Sequence, residues 1–144
     1  MSFDKPIRRI AIVGTGLIGS SWAAQYLARG LDVIATNPDS NAESKLRKNI
    51  DAAWKELTII GLSPDATRDR LTFNSNMKEA LSNADFVQEN GPESPDFKIK
   101  LFAEIDDATP SELCHRLVYF RSGYLSWLDL PKYLLHYHPL LLHL

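Results

Sequence analysis

The order of apolar patterns along this chain predicts an α/β fold, a doubly wound parallel sheet with helices on its faces. Two observations carry that expectation. A β-branched run, RIAIV, ends on a glycine and passes through the string Gly14-Thr15-Gly16-Leu17-Ile18-Gly19 into an amphipathic segment. The same order, strand and then helix, returns three times before residue 111.

Arg9 to Val13 is apolar and bounded by glycine, as a buried strand should be. From Leu17 to Arg29, Leu17, Ile18, Trp22, Ala23, Tyr26 and Leu27 recur at spacings of three and four, which predicts a helix. Gly30 stands where its C-terminal cap belongs. Asp32 to Thr36 (DVIAT) is a second strand, and a long helix from about 42 to 60 places Leu46, Ile50, Ala53, Trp54 and Leu57 on one face before Gly61. Ser63 and Pro64 predict the start of a short helix, and Leu71 to Phe73 a weak strand. Asn76, with Glu79 three residues on, reads as a capping box opening another helix. Phe86 to Glu89 is the next strand. Ser94 and Pro95 offer a cap and a first-turn proline to a helix whose apolar side carries Ile99, Leu101, Phe102 and Ile105.

A chain of 144 residues accommodates one ordinary domain and not a second catalytic one. Its formal charge of −2, from 16 basic and 18 acidic residues interspersed, supplies no basic stripe for nucleic acid. Residues 1 to 30 lack the pattern of a signal peptide, and no apolar run is long enough to span a bilayer, so no membrane partner is expected. Cys114 is the single cysteine, which excludes an internal disulfide and suits a reducing cytoplasm.

The chemistry sits at the first turn. A G-x-G-x-x-G string that directly follows a strand and directly opens a helix is the fingerprint of a Rossmann-like dinucleotide site. Gly14 allows the tight turn, Gly16 has no Cβ to hold off a pyrophosphate, and Gly19 lets helix and strand pack closely. The helix start, with Thr15, Leu17 and Ile18 between the glycines, offers free N–H groups to phosphate. The second half of the fingerprint is an acid at the end of the second strand that holds the adenosine ribose. Asn37 stands there instead. An amide still bonds, without charge assistance, at a loss of about 1 kcal/mol. No arginine follows to hold a 2′-phosphate, which favours NAD over NADP, and Asp39 is either a stand-in acid or a solvated turn residue.

The segments IRRIAIVGTGLIGSSWAAQYLARGLDVIAT, ADFVQENGPE and DFKIKLFAEIDDATP resemble the amino-terminal half of the 3-hydroxyacyl-CoA dehydrogenase family, and VQENGPE is most similar to its carnitine 3-dehydrogenase branch. The resemblance covers roughly residues 7 to 111. It implies a Rossmann domain over residues 1–111 that binds NAD in an oxidoreductase taking L-carnitine and NAD to 3-dehydrocarnitine and NADH, or acting on a 3-hydroxyacyl-CoA. It further implies a homodimer built through a helical second domain that this chain lacks. Gly14, Gly16 and Gly19 match the family's pyrophosphate turn, Asn37 departs from its ribose-binding aspartate, and Glu89 and Lys98 match positions near the nicotinamide ribose.

The family next implies a serine-rich loop close to ASSTSG and a histidine in a GHPFNP setting that takes the hydroxyl proton. Neither is present, so no catalytic residue is assigned. All four histidines, His115, His136, His138 and His143, follow residue 111, and His138-Pro139 lacks the flanking motif. Cys114 with His136, His138 and His143 lacks the paired spacing of a structural zinc site, and no metal is expected. From Glu112 onward, 11 of 33 residues are leucine and no useful period organises them, so residues 112–144 read as an irregular apolar tail. The codons for Cys114 to Arg121, read one base later, can encode V-I-A-S-S-T-S-G, the strand end and serine loop expected there. The tail is thus compatible with a shifted reading frame. Three readings of function follow: the NAD(H)-binding portion of such a dehydrogenase, inactive as written; a dinucleotide-binding module whose apolar tail docks on a partner; or an intact small reductase with an unrelated pocket made by the tail.

Overall fold

The computed structural model describes residues 6–92 and 94–109, together with the backbone of 117–119. Strand β1 (Arg9–Val13) leads into helix α1 (Leu17–Ala28), strand β2 (Asp32–Thr36) into α2 (Ala42–Ile60), and β3 (Leu71–Phe73) into α3 (Met77–Leu81). Strand β4 (Phe86–Glu89) leads into α4 (Pro95–Ala108), and β5 (Leu117–Tyr119) follows. The sheet runs β3-β2-β1-β4-β5, and every pairing is parallel, with Val13 opposite both Thr36 and Glu89. Its winding reverses between β1 and β4, and in open α/β sheets that switch point, beyond the carboxyl ends of the strands, is where ligands bind.

Alternation along the strands makes two cores. Ile10 and Ile12 face α1 and α2 and pack with Leu27, Val33, Leu46 and Ile50. Ala11 and Val13 face the other way, with Val87, Leu101, Phe102 and Ile105. Burying side chains of this size contributes about 1.5–3 kcal/mol each for the larger ones, and the two layers fix how the helices sit against the sheet. At the end of α1 the N–H groups of Gly30 and Leu31 bond to the carbonyls of Leu27 and Tyr26. Gly30 takes the positive φ of 80° that this closure requires.

Four expectations need correction. Ser63 and Pro64 open a turn and no helix: the Ser63 carbonyl accepts from Ala66 N at 3.0 Å and its hydroxyl from Asp65 N at 3.3 Å. A 3-10 turn, Arg68–Arg70, follows instead. Ser94 precedes α4 without a side-chain capping bond. Ile99 is half-exposed, leaving Leu101, Phe102 and Ile105 as the buried side of α4. Leu17 and Ile18 are 76% and 60% exposed and line an apolar groove along α1 with Ile7 and Phe86.

The tail also contributes to the sheet. Leu117–Tyr119 pairs with Val87–Glu89, so β4 is not an edge strand. An unpaired strand edge is a row of free N–H and C=O groups, and three residues of adequate β propensity satisfy it without any longer pattern. His115, His136, His138 and His143, with Cys114 and the rest of the tail, lie outside the described residues.

Candidate cofactor site

Gly14 ends β1 with φ +88° and donates its N–H to Thr36 O at 3.1 Å. A Cβ there would lie 2.9 Å from the Asn90 carbonyl, so the glycine turn and the loop after β4 are in contact. At Gly19 a Cβ would fall 2.0 Å from Gly14 O, which makes glycine obligatory for the packing of α1 on its own turn. Gly16 is different: a Cβ there would meet nothing within 4 Å. It is the exposed N-cap of α1, with no side-chain cap and no acidic residue in the first turn. The partial positive charge of the helix start therefore faces open space. A cradle that a Cβ would fill, lined by uncapped N–H groups, fits a pyrophosphate.

A polar network holds that turn. Thr15 is buried; its carbonyl accepts from Ser20 Oγ at 3.2 Å, and Ser20 Oγ in turn accepts from Asn49 Nδ2 of α2 at 3.3 Å. From the other side, Asn37 Nδ2 donates to Thr15 Oγ1 at 3.1 Å, and Asn37 Oδ1 accepts from Asp39 N at 2.9 Å. The Asp39 side chain is exposed. Its carboxylate accepts from Asn41 N at 2.9 Å and lies 3.7 Å from Lys45 Nζ, at the entry to α2.

Across the switch point, β4 ends in Glu89, which is fully buried. Lys98 of α4 is buried as well, and its ammonium donates to Glu89 Oε2 at 2.6 Å and to Gly91 O at 3.1 Å. The second carboxylate oxygen accepts from Gly91 N–H. Lys98 is thus not a solvated helix lysine: a buried ion pair ties the helix to the strand end and shapes the Asn90-Gly91 corner. On the opposite face of β4, Gln88 accepts from the buried Tyr26 hydroxyl at 3.3 Å and donates to Asn90 Oδ1 at 3.4 Å.

The structure sets the glycine turn, Gly14 to Gly19, against the loop that follows Glu89, with Asn37 bonded to Thr15; Glu89 and Lys98 are buried at the base of that loop, and Leu17 and Ile18 are exposed along α1. Sequence reasoning did not single out Gly91, where a Cβ would lie 2.7 Å from Glu89 Oε1, nor Asn49. The Asn-Gly-Pro letters after β4 were a turn signal for the first. Asn49 carries none, being one polar residue on a mostly polar helix. A separate apolar groove of about 770 Å³ runs along α1 from Leu17 and Ile18 past Trp22 to Ile7, with Phe86 on its floor. It opens on the sheet face away from Glu89 and is not this crevice. Among the described residues no group of His, Cys, Asp and Glu could hold a metal ion, and no helix is long and apolar enough to cross a membrane.

Fold and turn together define a dinucleotide-binding domain of the dehydrogenase class. Residues 9–114 match the 3-hydroxyacyl-CoA dehydrogenase NAD binding domain, and the chain belongs to that family of NAD-dependent oxidoreductases. It is 50% identical over 105 residues to the L-carnitine dehydrogenase of Streptomyces griseus, which covers 73% of this chain and 31% of the relative. It is 43% identical over 106 residues to that of Bacillus cereus, covering 74% of this chain and 32% of the relative. The (S)-3-hydroxybutyryl-CoA dehydrogenase of Ralstonia eutropha shares the fold, with a TM-score of 0.67 at 23% identity over 75% of this chain and 39% of the other. The chain spans about a third of the length of the curated relatives it matches.

Proposed function

We propose that this chain is the NAD(H)-holding part of a dehydrogenase acting on a small hydroxy substrate, L-carnitine by the name of its relatives, and that as written it binds the cofactor without turning substrate over. One observation carries the binding: the uncapped start of α1 facing open space beside Gly16. Gly14 to Gly19 hold the pyrophosphate, Asn37 meets the adenosine ribose, and Glu89 with Lys98 shapes the nicotinamide end.

NAD, when bound, accepts hydride from the carbon bearing the hydroxyl, and the hydroxyl proton must pass to a base within about 3 Å. Among the described residues none is placed in the crevice to take it. No histidine precedes residue 115, and the Glu89 carboxylate is committed to Lys98 and Gly91. Residues from 112 on are then the product of a shifted frame, a reading supported by a family match that ends at residue 114 and by the missing periodicity beyond it.

Calorimetric titration of NADH into the full chain and its Gly16→Val variant tests the site, and absorbance at the NADH band with L-carnitine and NAD tests turnover. Binding by the parent alone, with no NADH formed by either, is expected. Equal affinity in the two proteins overturns the site, and NADH production that Gly16→Val abolishes overturns the inactivity.

A further inference from the structure

We infer that this crevice discriminates weakly between NAD(H) and its 2′-phosphorylated counterpart NADP(H), with Asn37 as the residue that sets the selectivity. The inference rests on the cofactor reading above and concerns its adenosine end.

A dinucleotide site excludes NADP by repulsion as much as it selects NAD by attraction: a fixed carboxylate at the end of β2 grips the ribose hydroxyls and repels a 2′-phosphate. Here the position is a neutral amide, and both of its ends are engaged. Asn37 Nδ2 donates to Thr15 Oγ1 and Oδ1 accepts from Asp39 N. Each end of the amide holds one bond within the protein and keeps one position for a ligand on a half-buried side chain, so Asn37 can meet the ribose yet, uncharged, neither grips the diol as a carboxylate does nor repels a phosphate.

The nearest carboxylate does not replace it. Asp39 is held by Asn41 N–H at the start of α2, with the exposed Lys45 ammonium 3.7 Å from its carboxylate. Pro38, Asp39, Ser40 and Asn41 are all exposed, which leaves room at the rim for a phosphate. No arginine lies in this stretch to reward that phosphate strongly. The outcome is near parity, not a reversed preference.

The test is calorimetric titration of NAD and NADP, separately, into the full chain, Asn37→Asp and Asp39→Asn. The parent should bind both with dissociation constants within about tenfold of each other. Asn37→Asp should tighten NAD several-fold and weaken NADP by about tenfold or more, the gain being one charge-assisted bond and the loss one like-charge contact. Thr15 Oγ1 can donate to the new carboxylate, which keeps the turn closed. Asp39→Asn should leave the NADP to NAD ratio within about threefold of the parent. NADP binding a hundredfold weaker than NAD in the parent, or a ratio that Asn37→Asp leaves unchanged, overturns the inference while the cofactor reading stands. A tenfold NADP gain in Asp39→Asn assigns the selectivity to Asp39 and also overturns it. Binding of neither nucleotide to a parent that unfolds cooperatively brings down both readings.

Discussion

At the scale of single residues, the three glycines of the turn look equivalent in sequence and are not equivalent in space. Gly16→Val places its side chain where no protein atom stands, so urea unfolding should move by no more than about 1 kcal/mol, mostly through the poorer N-cap. Its NADH affinity should be lost. Gly19→Ala drives a methyl group into Gly14 O and should cost several kcal/mol or prevent folding. A Gly19→Ala protein as stable as the parent would show that α1 can shift on its strand. The buried pair makes a second test. Lys98→Met leaves the Glu89 carboxylate uncompensated, at a cost of about 3–5 kcal/mol by urea unfolding, and adding Glu89→Leu should recover a large part of it. Additive losses in the double variant would mean that the pair is not a unit. The glycine pattern was legible because each glycine answers a geometric need that spacing encodes. The burial of Lys98 was not, because its partner lies nine residues away on another element and lysine is by default a surface residue.

Element by element, the long patterns were the legible ones. The bounds of β1, β2, β4 and α2 follow from runs and periods that burial on the sheet enforces. Ser63-Pro64 misled because the same letters start turns and helices, and only the contact of the following residues decides. The cap at Asn76 was legible by half: its Oδ1 accepts from Glu79 N at 3.2 Å, while Glu79 bonds Asn74 Nδ2 at 2.9 Å instead of closing the box. Asn76→Ala should therefore cost about 1 kcal/mol in urea unfolding. Helix α1 carries a pH dependence of its own. Burial pushes the Tyr26 hydroxyl up to about 12, against a smaller opposing pull from Arg29. The folded value lies above the ordinary value of 10.0, so the neutral phenol favours the folded state, and stability intact below pH 10 falls as pH rises toward 12. The loss from this group should be about 1 kcal/mol at pH 11. Tyr26→Phe should lower stability at pH 8 by the lost bond to Gln88 and show a shallower decline between pH 9 and 11. Parallel declines in the two proteins would assign the alkaline loss elsewhere.

For the whole molecule, the question is why a chain that reads as a dehydrogenase up to residue 111 carries a leucine-rich sequence beyond it. The strand at Leu117–Tyr119 bears on the answer. Pairing to the outer edge of β4 needs only backbone N–H and C=O groups, and many sequences provide them. A serine beside a substrate hydroxyl and a histidine within reach of its proton need particular side chains at particular places. A shift of frame, as proposed above, would keep the sheet extendable and remove the chemistry, which is the pattern of a tail that supplies a three-residue strand without the family's motifs. The codons for Leu117, Val118 and Tyr119, read one base later, can encode Ser, Ser and Thr. The coding DNA tests this directly. Read one base downstream from the Cys114 codon, it should stay open, give a serine-rich loop at once and a GHPFNP-like segment later. The protein expressed from that frame should form NADH from L-carnitine, while the 144-residue chain does not. A stop codon within a few residues, or a restored protein without activity, would make the tail an element of the protein in its own right.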